Sequence, residues 1–379
     1  MSERLADALA DRLAARTRAL VDVPSVSGEE AAVIEAIKAA DPLGAFEVLD
    51  DADSVLLLGP AVRRVDAPWV LLAGHVDTVP VAGAALPGSV VDGEVWGRGA
   101  ADMKAGLAVM LELSAAVAAD PAASDLDVGF VFFGREELPI TQSALLPLFE
   151  RCPTATTADL AIVMEPTGNA IEVGCLGNLD MAVTVRGTAA HSARPWLGDN
   201  AIHTAIAALA PVADLPDRDV EIDGLTFREV ANITTIEGGI AANVLPDRVQ
   251  ARVNYRYAPT RTPQEAESRL RDLLGADARL DAVVAGNAPP GPVSVRNPLV
   301  GRLRAAGSLA MGPKQAWTPV AEFATAGVDA INFGPGDPQY AHRDDERVEV
   351  AALVRSYEVL RRFLGLEGPV GAGAAEDEA

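Results

Sequence analysis

Four short apolar runs, each leading into residues that can bind a metal or move a proton, constrain this chain more than any other feature. Trp69–Gly74 stops at His75, Val128–Phe133 stops shortly before Glu136-Glu137, Leu160–Met164 stops at Glu165, and Ala330–Phe333 opens a Gly-Pro-Gly-Asp loop that leads to His342. Runs of this length and composition predict buried strands. Between them, Lys104–Ala119 has the length and the Ala, Leu and Met content of a helix. Strands alternating with helices predict an α/β fold, a mixed, mostly parallel sheet covered on both faces. In such sheets ligands gather outside the carboxyl ends of the strands, which is where these side chains fall.

The middle of the chain changes pattern. Met181–Arg186 reads as a strand, Asn200–Leu209 as a helix, Asn232–Glu237 and Val249–Tyr257 as strands, Pro263–Leu274 as a helix and Leu280–Val284 as a last strand. The order β-α-β-β-α-β is that of a ferredoxin-like α+β unit. A chain of 379 residues also exceeds what one hydrophobic core usually organises. The expected organisation is a catalytic domain formed by 1–178 and 291–370, interrupted by an inserted domain at 179–290. The Pro/Gly-rich 287–292 segment is its return linker, and the Gly/Ala/acidic stretch 371–379 is a flexible tail.

Taken singly, the polar residues at the strand ends admit ordinary readings. His75-Val76-Asp77 puts an imidazole at a strand end with a carboxylate close enough to orient it. Asp102, in Gly97-Arg98-Gly99-Ala100-Ala101-Asp102, alone reads as the N-cap of the long helix. The glycines lack the third member of the dinucleotide fingerprint, and no Gly-Lys-Ser/Thr follows, which disfavours nucleotide binding. Glu136-Glu137 alone reads as solvated surface. His75 and His342 are two of only four histidines; His203, in a helical run, reads as structural or exposed. Together the set comprises two histidines and three carboxylates, with one carboxylate to spare. Imidazole and carboxylate ligands suit zinc. Two metals sharing a carboxylate would ionise a water near neutral pH, and the spare glutamate would move its proton. No Gly-x-Ser-x-Gly elbow occurs, which disfavours a serine hydrolase.

The same motifs carry a resemblance. They are Pro24-Ser25-Val26-Ser27-Gly28-Glu29, Gly74-His75-Val76-Asp77-Thr78-Val79-Pro80, Trp96-Gly97-Arg98-Gly99, Asp102-Met103-Lys104, Glu136-Glu137, Glu165-Pro166-Thr167 and Asn332-Phe333-Gly334-Pro335-Gly336-Asp337. In this order, over nearly the whole chain, they make it similar to the dinuclear zinc aminoacylase and carboxypeptidase family. The resemblance implies two Zn2+ per subunit, with Co2+ able to substitute. His75, Asp102 and Glu165 would hold one ion and Asp102, Glu137 and His342 the other, with Asp102 bridging and its bond to Met103 cis. It further implies Glu136 as general base, Asp77 as the partner of His75, and the insert as a lid and dimerisation domain. His191, in Ala190-His191-Ser192-Ala193-Arg194-Pro195, would reach the substrate carbonyl across a homodimer; without the resemblance it reads as a surface or capping residue.

Within the family, Val173-Gly174-Cys175, Leu197-Gly198-Asp199-Asn200, Asn254-Tyr255-Arg256-Tyr257 and Ala341-His342-Arg343 are most similar to actinobacterial desuccinylases. That implies removal of the succinyl group from N-succinyl-LL-2,6-diaminopimelate. Deacetylation of acetylornithine, or cleavage of another N-acyl amino acid or peptide, is the alternative. A degenerate, non-enzymatic member is disfavoured because all five ligands and Glu136 stand together. Arg256, Arg194 and Asn243 are the candidate contacts to substrate carboxylates, and either arginine also reads as an ordinary surface charge. The chain departs from the desuccinylase pattern at Pro319 and at Glu322-Phe323, where an Arg-Phe pair is usual. An acid near the acyl pocket would favour acetyl over succinyl.

Composition narrows the partners. A formal charge of −23 repels nucleic-acid phosphates and anionic membranes, and the resemblance implies a small-molecule substrate. The first residues have no apolar core of signal-peptide type, and no stretch reaches a membrane span. Two cysteines, Cys152 and Cys175, exclude a disulfide framework and point to the cytoplasm, where they read as small buried hydrophobes.

Overall fold

The computed structural model describes residues 3–40, 43–81 and 87–366; the expected tail at 371–379 lies outside them. The chain divides into two compact units, Met1–Val173 with Ser294–Gly312 and Glu322–Ala379, and Gly174–Val293 with Pro313–Ala321.

The first unit is built on an eight-stranded sheet. Its centre is formed by Asp127–Phe133, Trp69–His75, Leu160–Val163 and Ala330–Asn332, each parallel to its neighbour. Antiparallel pairs flank this core, Val55–Gly59 and Glu47–Ala52 on one side and Ile171–Val173 on the other. All seven residues of Trp69–His75 are buried, as are all seven of Asp127–Phe133. A strand with both faces buried cannot alternate polar and apolar residues, which is why these segments stand out as apolar runs. Helices Glu3–Val21, Ala105–Ala119 and Val350–Phe363 pack on one another, and Ala105–Ala119 lies against the two central strands.

Two glycines let backbone approach the end of the Leu160–Val163 strand. A Cβ at Gly106 would stand 2.5 Å from the Met164 carbonyl oxygen, and one at Gly334 would stand 2.4 Å from it. Any side chain there would push away the backbone that aims Glu165.

The second unit is a five-stranded antiparallel sheet in the order Arg218–Ile222, Leu225–Gly238, Arg248–Tyr257, Gly177–Arg186, Leu280–Ala288. Along Gly177–Arg186 burial alternates, so one face carries the core. Helices Ala201–Ala213 and Pro263–Leu274 cover that face with Ala201, Ala205, Leu209, Ala266, Leu270 and Leu274. Thr262 and Glu265 form a capping box at the start of the second helix. The six elements expected from the sequence are present in the order β-α-β-β-α-β, and Arg218–Ile222 adds one further hairpin strand. Its polar, largely exposed sequence gives no apolar signal. The unit also extends beyond 179–290. Strand pairing starts at Gly177 opposite Tyr257, the Leu176 N–H donates to the Ala316 carbonyl, and Gln315 bonds the backbone of Thr226 and Arg228.

Candidate metal centre

The parallel strands deliver their chemistry at one end. His75 is the last residue of its strand, Glu136 and Glu137 follow Phe133 across a turn, and Glu165 follows Val163 by two residues. Arg135, just before the glutamate pair, and His342 both hold left-handed backbone, at φ +61° and +65°. Such conformations are costly for residues other than glycine and recur where side chains are held for function.

Asp102 is not a helix N-cap. It stands in an irregular turn, Ala100–Lys104, at φ −121° and ψ 94°, and the regular helix starts at Ala105. The Asp102–Met103 peptide is cis. From that turn the carboxylate faces both histidines. Oδ1 lies 3.0 Å from His75 Nε2, and Oδ2 lies 3.4 Å from His342 Nε2. Glu165 Oε1 is 3.8 Å from His75 Nε2, and Glu137 Oε1 is 2.9 Å from His342 Nε2. The structure thus gathers His75, Asp102 and Glu165 into one group and Asp102, Glu137 and His342 into another. A third grouping joins Glu136 and Glu137 to His75.

Asp77 does more than the sequence suggests. The His75 Nδ1 atom lies 3.0 Å from the Asp77 backbone carbonyl and 3.6 Å from its carboxylate. The carboxylate is engaged by Ser27 Oγ at 2.7 Å and by the backbone N–H groups of Glu136 and Glu137, both at 3.1 Å. Asp77 therefore orients His75 chiefly through its main chain and holds the glutamate turn through its side chain. Burial raises its pKa, yet the bonds from His75, Ser27 and Glu137 prevail and lower it.

The charge balance fits cations. Burial, with the carboxylates of Glu165, Glu137 and Asp102 nearby, pushes Glu136 well above the usual carboxylate range. Burial disfavours the imidazolium of His75, but the bonds to Asp102 and Asp77 outweigh it and raise the pKa. The bonds to Asp102 and Glu137 lift His342 to about 10. These are the signs of a site with more carboxylate charge than its imidazoles neutralise. Divalent cations on the same oxygen and nitrogen atoms would supply the missing charge, and the mixed His/carboxylate donor set suits zinc.

The remaining sequence candidates lie in the second unit. His191, Arg194 and Asn243 are exposed and Arg256 is half-buried. The His191 Nδ1 accepts the Ala193 N–H at 3.0 Å, which leaves Nε2 to carry the proton of the neutral ring. Arg256 donates from Nε to Asn254 Oδ1 at 3.0 Å and has no carboxylate partner among the described residues. His203 is exposed. Glu322, the departure noted in the sequence, is 1 % exposed, and burial, opposed by the Ser143 hydroxyl, pushes its pKa up to about 7.

Sequence reasoning gave no role to Ser27, Arg98 or Glu346. Glu346 belongs to the acidic run Asp344-Asp345-Glu346, which reads as solvated surface and conceals a buried carboxylate.

Residues 71–365 match peptidase family M20/M25/M40. The chain is 41 % identical to a DapE protein of Mycobacterium tuberculosis over 92 % of its own length and 97 % of that protein's. It is 38 % identical to the succinyl-diaminopimelate desuccinylase of Corynebacterium glutamicum, over 92 % and 95 % of the two chains. Among solved structures, the aminopeptidase PepT of Bacillus cereus superposes with a TM-score of 0.77 at 21 % identity, covering 94 % of this chain and 98 % of that one. The dinuclear metal-binding peptidase YXEP of Bacillus subtilis superposes with a TM-score of 0.68 at 15 % identity, covering 95 % and 98 %.

Proposed function

We propose that this chain, which belongs to peptidase family M20/M25/M40, hydrolyses the succinyl amide of N-succinyl-LL-2,6-diaminopimelate in the cytoplasm, with two zinc ions held by its own side chains, as a step of diaminopimelate and lysine biosynthesis. One observation carries the dinuclear reading: the two oxygens of Asp102 face two different histidines, each with a further carboxylate beside it. His75, Asp102 and Glu165 would hold one cation, and Asp102, Glu137 and His342 the other. When bound, such a pair polarises the scissile carbonyl and lowers the pKa of water. Glu136, outside both ligand sets, takes the proton from the attacking water and returns it to the leaving amine. Its backbone stays fixed meanwhile, because its N–H donates to Asp77 Oδ1.

Substrate choice rests on the relatives at 38–41 % identity and on Arg256. A half-buried guanidinium without a carboxylate partner among the described residues is suited to grip a substrate carboxylate with two parallel hydrogen bonds. The expected result is a higher kcat/KM for N-succinyl-diaminopimelate than for N-acetylornithine, and a reduced succinyl-to-acetyl ratio in Arg256→Ala. Preference for the acetyl substrate would overturn the succinyl assignment while leaving the zinc chemistry intact. An unchanged ratio in the variant would remove Arg256 from the acyl pocket.

His191 is proposed to serve the site of a partner subunit, by donating from Nε2–H to the oxyanion that forms on the carbonyl. A homodimer through the second unit is supported by two features. Beyond Glu229 the Leu225–Gly238 strand has an open edge among the described residues, and Trp196, Ile206, Ile236 and Ile240 are exposed apolar side chains in the same unit. Mixing inactive His191→Ala with inactive Glu136→Gln protein should restore part of the activity, because one hybrid site carries both native residues. Absence of rescue under proven subunit exchange would refute the shared site.

A further inference from the structure

We propose that Glu346 is the positioning residue that locks Asp102 and His342, two ligands of the second cation, into a single geometry. The inference rests on the dinuclear reading and deepens it. Glu346 is 2 % exposed. Its Oε1 accepts the backbone N–H groups of Ala101 and Asp102, each at 3.1 Å, and its Oε2 accepts Arg98 Nη1 at 2.8 Å. Its own carbonyl accepts the Gly97 N–H at 3.0 Å. The turn that aims Asp102 departs from helical geometry, and amides at the start of a helix have no partner within it. A single carboxylate oxygen satisfies both.

The same residue belongs to the segment that carries His342, four positions earlier in the chain. Just beyond it, the Arg347 guanidinium lies between the rings of Trp96 and Tyr340, 4.5 and 4.0 Å from their centroids, and ties the segment to the hairpin Ser89–Trp96. Glu346 thus joins the Asp102 turn, the Gly97–Gly99 loop and the His342 segment at one buried point. Groups that orient metal ligands in this way typically change metal affinity 10–100-fold when altered.

Glutamine cannot fill the same role beside Arg98. If its single acceptor oxygen takes both amides, its NH2 faces the guanidinium, donor against donor. Removing the guanidinium removes the conflict. The test is calorimetric titration of the metal-free protein with Zn2+, together with thermal unfolding of the same metal-free samples. Wild type is expected to take up two Zn2+ per chain. Glu346→Gln is expected to weaken the weaker uptake step about 10–100-fold. The double variant Arg98→Met with Glu346→Gln should recover most of that loss, which a purely structural role would not produce. Arg98→Met alone leaves the carboxylate on the two amides and is the milder variant, useful if Glu346→Gln does not fold; weakened uptake in it supports the same role. Wild-type affinity in both single variants overturns the inference. So does a loss in Glu346→Gln that the double variant fails to relieve and that follows the drop in metal-free stability. Failure of wild type to bind zinc would instead overturn the dinuclear reading itself, and this inference with it.

Discussion

Glu136→Gln is expected to lower turnover of the amide substrate by about 10²–10⁴-fold, the range that general acid–base catalysis contributes, while zinc content and thermal stability remain at wild-type values. The substitution is isosteric, and the main chain of Glu136 is held independently of its side chain by the bond from its N–H to Asp77 Oδ1. The turn should therefore keep its shape, and only the capacity to accept a proton is lost. Zinc content is the discriminating readout, because Glu136 also lies with Glu137 and His75 in a group that could hold a cation. Loss of activity together with loss of one zinc would make Glu136 a ligand. Near-normal turnover would remove it from the reaction altogether.

What the sequence made legible follows from burial. The four central strands are buried and announce themselves as apolar runs, and their positions place His75, Glu136, Glu137 and Glu165 at one end of a parallel sheet. Edge elements are different. Glu47–Ala52 and Arg218–Ile222 are short, largely exposed and rich in charged residues, so apolar content does not mark them as strands. Around the site, residues able to bind a cation were visible because few residue types can do so. The residues that orient them were not: Ser27 looks like any loop serine, and Glu346 sits in an acidic run typical of a solvated surface. Long-range hydrogen bonds, such as the one from the Asp102 amide to a carboxylate 244 positions away, leave no local signature. Glu322 shows the converse. Its residue type could be read from the chain, but its burial, which raises its pKa, could not.

Asp102→Ala should have the largest effect of any single change, because it removes the one side chain common to both ligand groups. Activity is expected to fall at least as far as in Glu136→Gln, on the order of 10⁴-fold, since both polarisation of the carbonyl and ionisation of water depend on the cations it would hold. Stability should move in the other direction or not at all. In the metal-free protein Asp102 is one of four carboxylates converging on His75 and His342, and its removal relieves repulsion among Glu136, Glu137 and Glu165. Against that stands the loss of its bonds to the two histidines, which hold its own pKa well below the usual carboxylate range although burial works to raise it. With these contributions opposed, the metal-free melting temperature should stay near that of wild type. Added zinc separates the two proteins. A ligand that binds only the folded state stabilises it by about 2.7 kcal/mol per site at a hundredfold excess over Kd. Wild type and Glu136→Gln should both show the resulting rise in melting temperature, and Asp102→Ala should show little or none. An Asp102→Ala protein that still gains the full zinc-dependent rise would demonstrate that the two ions, if bound, do not share this carboxylate.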